Sequence, residues 1–263
     1  MFLLGYGNLI AQATIGGVGS WQAGAPASNV KTWALAETAR STDATTASTK
    51  LRIDWGTAQA ARVLILMGDN ISAAGTVRWM RGSSAGGTEV ADSGAVDRWH
   101  FTPRVADGQV YDAQVVLGAQ SSARYEQIEI VDTGNADGYI EIGRIFIGPA
   151  FAPAYGPNYG LIDSHDDLSV IGRAHSGAEW PAPNRRLRRA QFELTALTLD
   201  EGDQLHEIEQ IEGLTGEVAY LPMPDRQAHM QRYGMVGLMQ ELNGIQFPRH
   251  GTRARAFNVR QRA

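Results

Sequence analysis

The chain has 263 residues, a formal net charge of −5, 43% hydrophobic residues and no cysteine. This length allows one large domain or two of ordinary size, and the hydrophobic content supports a folded core. The lack of cysteine excludes disulfides, thiolate metal sites and cysteine nucleophiles. A net charge close to neutral for this length argues against a protein that coats nucleic acid through its overall charge.

Thirty glycines and ten prolines indicate many turns and short strands, which favours a mainly β fold. No stretch approaches the roughly 18 uncharged apolar residues of a membrane span, so we expect no membrane partner. The apolar start has no basic flank, and we predict no signal peptide. Of the 23 basic residues, 21 are arginine. This bias is explained either by a GC-rich genome or by arginine-rich interfaces.

Residues 1–149 have the pattern of a β-sandwich. Alternating or continuously apolar segments recur along this part without a convincing helix, which is typical of a jelly-roll sandwich. The apolar run 62–67 is too short for a typical helix and predicts a buried central strand. Predicted strands cover residues 51–56, 62–67, 76–80, 109–117, 125–131 and 138–149.

The segment 138–149 predicts a strand that is covered on both faces, because large apolar residues occur at both alternating sets of positions. Pro149, Pro153 and Pro157 follow, and the regular pattern stops there. We therefore place the end of the sandwich at residue 149. Residues 150–184 are interpreted as a Pro/Tyr-rich arm and loop.

Residues 185–263 predict a small α+β module of one strand, one helix and three strands. Thr198 and Glu201 have the spacing of a capping box at the start of the helix. Further strands are predicted at residues 218–221, 232–242 and 252–260. Asn243-Gly244 is a hairpin signal between apolar runs.

Charge is separated within this module. Residues 190–225 contain no lysine or arginine, whereas residues 249–263 contain five arginines. Three interpretations remain open: a solvated surface, contacts between copies of the chain, and contacts with the phosphates of DNA. The candidate inter-subunit residues are Arg185, Arg186, Arg188, Arg189, Glu207, Glu209, Glu212, Arg253, Arg255 and Arg260.

Several motifs of the first part occur in an order that resembles the discoidin or galactose-binding-like jelly roll. They are Asn8-Leu9-Ile10, Pro26-Ala-Ser-Asn29, Ile53-Asp-Trp-Gly56, Gly68-Asp-Asn70 and Gly143-Arg-Ile-Phe-Ile-Gly148. Many members of that fold bind sugars at the loops of one end. The candidate glycan contacts are Trp33, Trp99, Asp69 and Asn70, although the tryptophans also fit a packing role and Gly68-Asp-Asn70 also fits ordinary turn chemistry.

Familiar catalytic signatures, including GxSxG, the Walker motif and HExxH, are not found. His165 and His175 lie near Asp163, Asp166 and Asp167, which fits either a metal site or a surface turn, and we predict no metal and no cofactor. We expect a protein that is not an enzyme.

The run from Gly143 through the Pro/Tyr arm to Gly160 resembles the junction in tail and baseplate proteins of tailed phages. The likeness continues through Arg185-Arg-Leu-Arg-Arg189 and Tyr220-Leu-Pro-Met-Pro-Asp225. It implies a minor tail protein of the distal-tail or baseplate-hub kind, in a long flexible-tailed phage.

The tail resemblance sets the functional expectation. The second module would form a ring, hexameric rather than trimeric, that joins the tail tube to the hub. Tape measure and fibres would be further partners, with DNA only as passing cargo. The protein would be part of the virion and assembled in the host cytoplasm. The alternative is a carbohydrate-binding module that acts in attachment to the host surface.

Overall fold

A computed structural model describes residues 1–16, 18–98, 111–158, 160–249 and 251–262. In these residues the protein is mainly β, as predicted. The strands are β1 (Leu3–Gly5), β2 (Thr14–Ile15), β3 (Ala39–Arg40), β4 (Lys50–Met67), β5 (Thr76–Gly82), β6 (Ala91–Asp97), β7 (Ala113–Val131), β8 (Glu141–Ile142), β9 (Arg144–Gly148), β10 (Ala150–Phe151), β11 (Ile162–Asp167), β12 (Val170–Arg173), β13 (Glu179–Ala182), β14 (Arg186–Leu197), β15 (Glu217–Leu221), β16 (Met235–Met239), β17 (Gln246–Arg249) and β18 (Thr252–Gln261). The helices are α1 (Leu199–Glu212) and α2 (Gln227–Tyr233), and two 3-10 helices span Ile10–Gln12 and Ala27–Lys31.

The first large sheet has the order β2-β4-β7-β5-β6, and β9 also pairs with β4. The segments 51–56 and 62–67, predicted as two strands, form the single strand β4. Its pairing with β7 shifts between Asp54 and Gln59, and Gly56 lies there with φ of 74°. The strand therefore bends at a bulge instead of ending in a turn. Residues 113–117 of the segment predicted at 109–117 likewise belong to the same strand as 125–131, which is β7. Residues 111 and 112 precede the strand, and residues 109 and 110 lie outside the described part of the chain.

The bend in β4 lets both of its halves contribute to one core. Ile53 precedes the bulge and Leu64 follows it, and both are fully buried in the same apolar cluster. Val63 and Ile65 point the other way, into a second cluster that contains Val236 of β16. The prediction of a buried central strand at residues 62–67 is confirmed, because its two faces contact two different cores.

Strand β9 is buried along its whole length, as predicted for 138–149. Ile145 belongs to the sandwich core, and Phe146 belongs to the second cluster. The predicted alternation fails at Gly143, which separates β8 from β9. Ile142 therefore faces the same core as Ile145, although the sequence pattern placed them on opposite faces.

The second large sheet has the order β10-β1-β15-β16-β18-β14-β11. Strand β1 was predicted to belong to the first module, but it pairs with β15 through Leu4 and Tyr220. The chain therefore enters the second sheet before it builds the sandwich. Helix α1 packs on this sheet through Leu205 and Ile208, and its predicted capping box is confirmed.

Two predictions in the second sheet are wrong. Residues 232–242 were predicted as one strand, but Arg232 and Tyr233 end helix α2, and β16 covers only Met235–Met239. Asn243-Gly244 does not close a hairpin, because β16 pairs with β15 and β18. The hairpin instead joins β17 to β18, with Gly251 at φ of 79° next to the turn.

Candidate functional site

Residues 162–186 overlap the predicted Pro/Tyr-rich arm and loop, and from here on the name arm refers to residues 162–186. They contain no buried residue. Strand β11 pairs with the start of β14 at one end of the second sheet, and β12 and β13 then form a separate two-stranded hairpin. The hairpin closes where Ala174 donates its amide to the carbonyl of Ala178 at 2.9 Å. Residues 161–183 were predicted to form an extended excursion packed against either the sandwich or a neighbouring subunit. Every residue of the hairpin strands is exposed, so these strands do not pack on the sandwich, and contact with a neighbouring subunit stays a prediction.

The hairpin carries apolar side chains on both faces. Val170 and Trp180 share one face, because Val170 pairs with Ala182 and Gly172 pairs with Trp180. Ile171 lies opposite Pro181 on the other face. The exposed fractions are 63% for Val170, 59% for Ile171 and 59% for Trp180. A two-stranded hairpin with no core of its own is at best marginally stable in water, so these faces are suited to contact with another surface.

Pro181 affects how this hairpin can bind. Proline has no backbone N–H, so Pro181 gives β13 no donor at that position. Proline in a sheet is confined to edge strands, strand starts or bulges. Addition of a further strand at β13 is disfavoured for this reason, and contact through the two apolar faces is favoured.

The predicted inter-subunit residues divide into exposed and buried sets. Arg185 is exposed, and no hydrogen bond or ion pair is found for its guanidinium in the described residues. Arg186 lies 3.2 Å from Asp167 within the arm. Half-exposed positions are held by Arg189, Arg253 and Arg260, and Glu207 is exposed. These residues are accessible to a second copy of the chain.

The buried residues of this set were predicted to contact another copy of the chain, but they form contacts within their own chain. Arg188 is 3% exposed and donates to the carbonyl of Gly234 at 2.9 Å. Arg255 forms an ion pair with Glu209 inside the same chain, and both are buried. Glu212 is also buried and accepts the amide of Gly7. The attraction between the basic strand and the acidic helix is thus partly satisfied within one protomer.

Two of the candidate glycan contacts, Asp69 and Asn70, form hydrogen bonds or ion pairs within the protein and are not free to bind a sugar. The side chain of Asp69 is fully buried and pairs with Arg98 at 3.2 Å. Asn70 donates to the carbonyl of Tyr139 at 3.1 Å and accepts the amide of Glu141 at 2.8 Å. The side chain of Asn70 therefore stabilises the backbone at residues 139–141.

Trp33 is 54% exposed, and two guanidiniums lie close to its ring. Those of Arg144 and Arg262 are 4.5 Å and 4.4 Å from the ring centroid. These cations occupy part of the ring surface on which a sugar could stack. Trp99 lies outside the described residues.

A polar cleft of about 440 Å³ opens where the sandwich meets the base of the arm. Its sandwich wall contains Thr38, Asp69, Asp112 and Glu141, and its other wall contains Arg185, Arg186, Gln261 and Arg262. This volume falls in the range of small-molecule sites. The sequence did not predict this cleft, because its walls come from segments that are far apart in the chain.

Asp112 is an acid of the cleft with a strongly raised pKa. It is 6% exposed, and burial is the main cause that raises its pKa to about 6. Arg188 opposes this shift, whereas the charge of Asp69 adds to it. Burial also raises the pKa of Asp69, against the attraction of Arg98. Perturbed acids that line a cleft mark a candidate functional site.

The described residues were compared with the requirements of a metal site and of a membrane-spanning helix. No cluster of three His, Cys, Asp or Glu side chains with metal-binding geometry is present in the described part of the chain, which includes His165 and His175. Neither of the α-helices described is long and apolar enough to cross a membrane.

No family model matches the chain, and no curated protein matches it. Solved structures do resemble part of it. CBM32-1 from a family 31 glycoside hydrolase of Clostridium perfringens has a TM-score of 0.39 at 14% identity, covering 54% of this chain and 98% of that chain. The family 32 module of Clostridium perfringens NanJ in complex with galactose has a TM-score of 0.37 at 12% identity, covering 55% and 98%.

A fucose-binding module of Streptococcus pneumoniae has a TM-score of 0.36 at 13% identity, covering 54% of this chain and 95% of that chain. These structures are of the galactose-binding-like kind that residues 1–149 were expected to resemble. Their TM-scores are all below 0.5, so the similarity is a likeness of part of the chain without membership of a family.

Proposed function

We propose that this protein is a non-enzymatic structural subunit that associates with copies of itself through the arm. The assembly proposed is a ring at the tail tip or baseplate of a phage, with six copies favoured over three. The ring would join the tail tube to the hub and surround the channel through which DNA passes. Tape measure and fibres would be its other neighbours in the virion.

The exposed arm is the observation that carries this proposal. Trp180, Ile171 and Val170 are each more than half exposed on a hairpin that no other part of the described chain covers. Burying a side chain of this kind contributes about 1.5–3 kcal/mol. A neighbouring copy that covered both faces would therefore stabilise the hairpin and the contact together.

The geometry of the arm favours a ring over a symmetric pair. The hairpin projects from one end of the second sheet, beyond β11, whereas the other end of that sheet is the two-residue strand β10. An arm that docks on a different surface of the next copy makes a head-to-tail contact when the exchange is not reciprocal, and that arrangement is the one proposed here. Such contacts close into rings when the rotation between copies allows it.

Sedimentation velocity of the full chain tests the role of the arm. We expect the parent to associate and the double variant Ile171→Ser, Trp180→Ser to sediment as a monomer. Neither side chain is buried, so the variant should keep the circular dichroism spectrum of the parent. Arg124→Ser, at an exposed arginine of the sandwich, is the matched control and should still associate. Association that is unchanged in the double variant would contradict the role of the arm.

The phage assignment is tested separately by the neighbouring genes. A tape-measure gene directly upstream is expected for a tail-tip protein. Neighbouring genes of carbohydrate breakdown, with no tail genes, would contradict the assignment without affecting self-association.

Carbohydrate binding is the second candidate function, and the polar cleft favours it. The cleft has the volume of a small-ligand site, and its lining includes acids and arginines that can bind polar groups. A glycan array tests this function directly. Saturable binding to a sugar would support it, and binding to no sugar on the array would count against it.

A further inference from the structure

The cleft at the base of the arm has walls of opposite charge. The acids Asp69, Asp112 and Glu141 come from the sandwich side. Arginines occupy the opposite side, where β14 begins and where the chain ends. A ligand that fits both walls must offer an anionic group to one and hydrogen-bond donors to the other.

Among the described residues of the cleft, Arg185 is the arginine for which no ion pair is found. The neighbouring arginines are occupied, because Arg186 pairs with Asp167 and the guanidinium of Arg262 pairs with Glu217. Arg185 is exposed and has no such pairing among the described residues. A planar guanidinium with free donors is suited to bidentate binding of a carboxylate.

Within the described part of the chain, Asp112 is the acid of the cleft that forms no ion pair, whereas Glu141 pairs with Arg40 and Asp69 with Arg98. Its carboxylate accepts the amide of Gly68 at a long 3.3 Å, whereas Asp69 is held by Arg98 at 3.2 Å and by the amide of Ala113 at 3.0 Å. An ionised carboxylate has about four acceptor positions, so Asp112 keeps capacity for further hydroxyl donors. Burial of an ionised carboxylate costs free energy, so the position of Asp112 in the cleft indicates a role in binding a ligand.

We infer that the cleft binds a small polyhydroxylated carboxylate, the chemistry of a sugar acid, with its carboxylate on Arg185 and its hydroxyls on Asp112. This inference rests on the second candidate function, carbohydrate binding, and does not depend on the ring. It names the class of sugar and the two residues that select it. Because the two walls belong to different sheets, the ligand would also hold the base of the arm against the sandwich.

Isothermal titration calorimetry of the full chain with D-glucuronate and D-galacturonate tests the inference. We expect saturable binding of at least one of them, and at least tenfold weaker binding of D-glucose, which lacks the carboxylate, and of acetate, which lacks the hydroxyls. Arg185→Gln and Asp112→Asn should each weaken binding of the sugar acid about tenfold, or about 1.4 kcal/mol. Arg124→Gln should bind like the parent.

The outcomes separate the inference from the function beneath it. Equal binding of glucose and glucuronate, unaffected by Arg185→Gln, would overturn the sugar-acid assignment and leave carbohydrate binding intact. No binding of any sugar acid, together with no binding on the glycan array, would overturn both. Binding of acetate as tight as that of glucuronate would show a simple anion site and would also overturn the inference.

Discussion

Arg144 of β9 and Glu217 of β15 form a buried ion pair in which Nε of the arginine lies 2.9 Å from Oε1 of the glutamate. The pair joins the sandwich to the second sheet, and both side chains are almost completely buried, at 2% and 1% exposure. Arg144 also donates to the carbonyls of Lys31 and Thr32, at 2.6 Å and 2.8 Å. Asn8 donates to Glu217 from a third segment.

Arg144→Met should strongly destabilise the protein, because it leaves a buried carboxylate with fewer partners and two carbonyls without a donor. We expect a loss of about 3 kcal/mol in the free energy of unfolding, measured by urea denaturation. Arg173→Met, which breaks an exposed pair with Glu179, should leave the urea midpoint nearly unchanged. Equal midpoints for the two variants would contradict the importance of this pair.

Asp112→Asn should stabilise the protein at neutral and alkaline pH. The pKa of Asp112 is raised from 3.8 to about 6, so the folded state prefers the protonated acid. The resulting stabilisation is present below the unfolded pKa and is lost as the pH rises through about 6. A rise of about two pKa units corresponds to about 3 kcal/mol above pH 7.

The stability of Asp112→Asn relative to the parent should depend on pH, whereas a change in packing alone would give a difference that does not depend on pH. The difference in stability between Asp112→Asn and the parent should grow from pH 4 to pH 6 and then level off. Thermal unfolding across this range measures it. A difference that is constant with pH, or a less stable variant at pH 8, would contradict the raised pKa.

Gly148→Ala should destabilise the junction through a steric clash. A Cβ at this position would lie 2.2 Å from the carbonyl oxygen of Tyr6, which is backbone and cannot rotate away. Overpacking of this kind costs about 1–3 kcal/mol. Gly134→Ala is the matched control, since a Cβ there has no neighbour within 4 Å. Unfolding midpoints that fall equally in both variants would count against the close approach at Gly148.

Local features of the fold could be predicted from the sequence, since their causes are local. The hydroxyl of Thr198 and the carboxylate of Glu201 are three residues apart, and a helix start brings them together. The burial of residues 62–67 and of β9 followed from their apolar pattern. Bulges and Gly143 changed which face each side chain occupies, because a one-residue shift inverts the alternation.

Long-range pairings could not be predicted in the same way. Strand β1 has only three residues, and nothing in them identifies β15, more than 200 residues away, as the partner. The ion pair of Arg255 with Glu209 was expected between copies, since a charge pattern does not distinguish a partner in the same chain from one in the next. Helix α2 was missed because it has only seven residues and no side-chain cap.

The mass of the full chain in native mass spectrometry tests the central proposal most directly. A ring subunit should give one closed species, either a hexamer with about six times the chain mass of 28.4 kDa or a trimer with about three times the chain mass. An open series of larger species is not expected. A single species at 28.4 kDa at every concentration would contradict self-association through the arm.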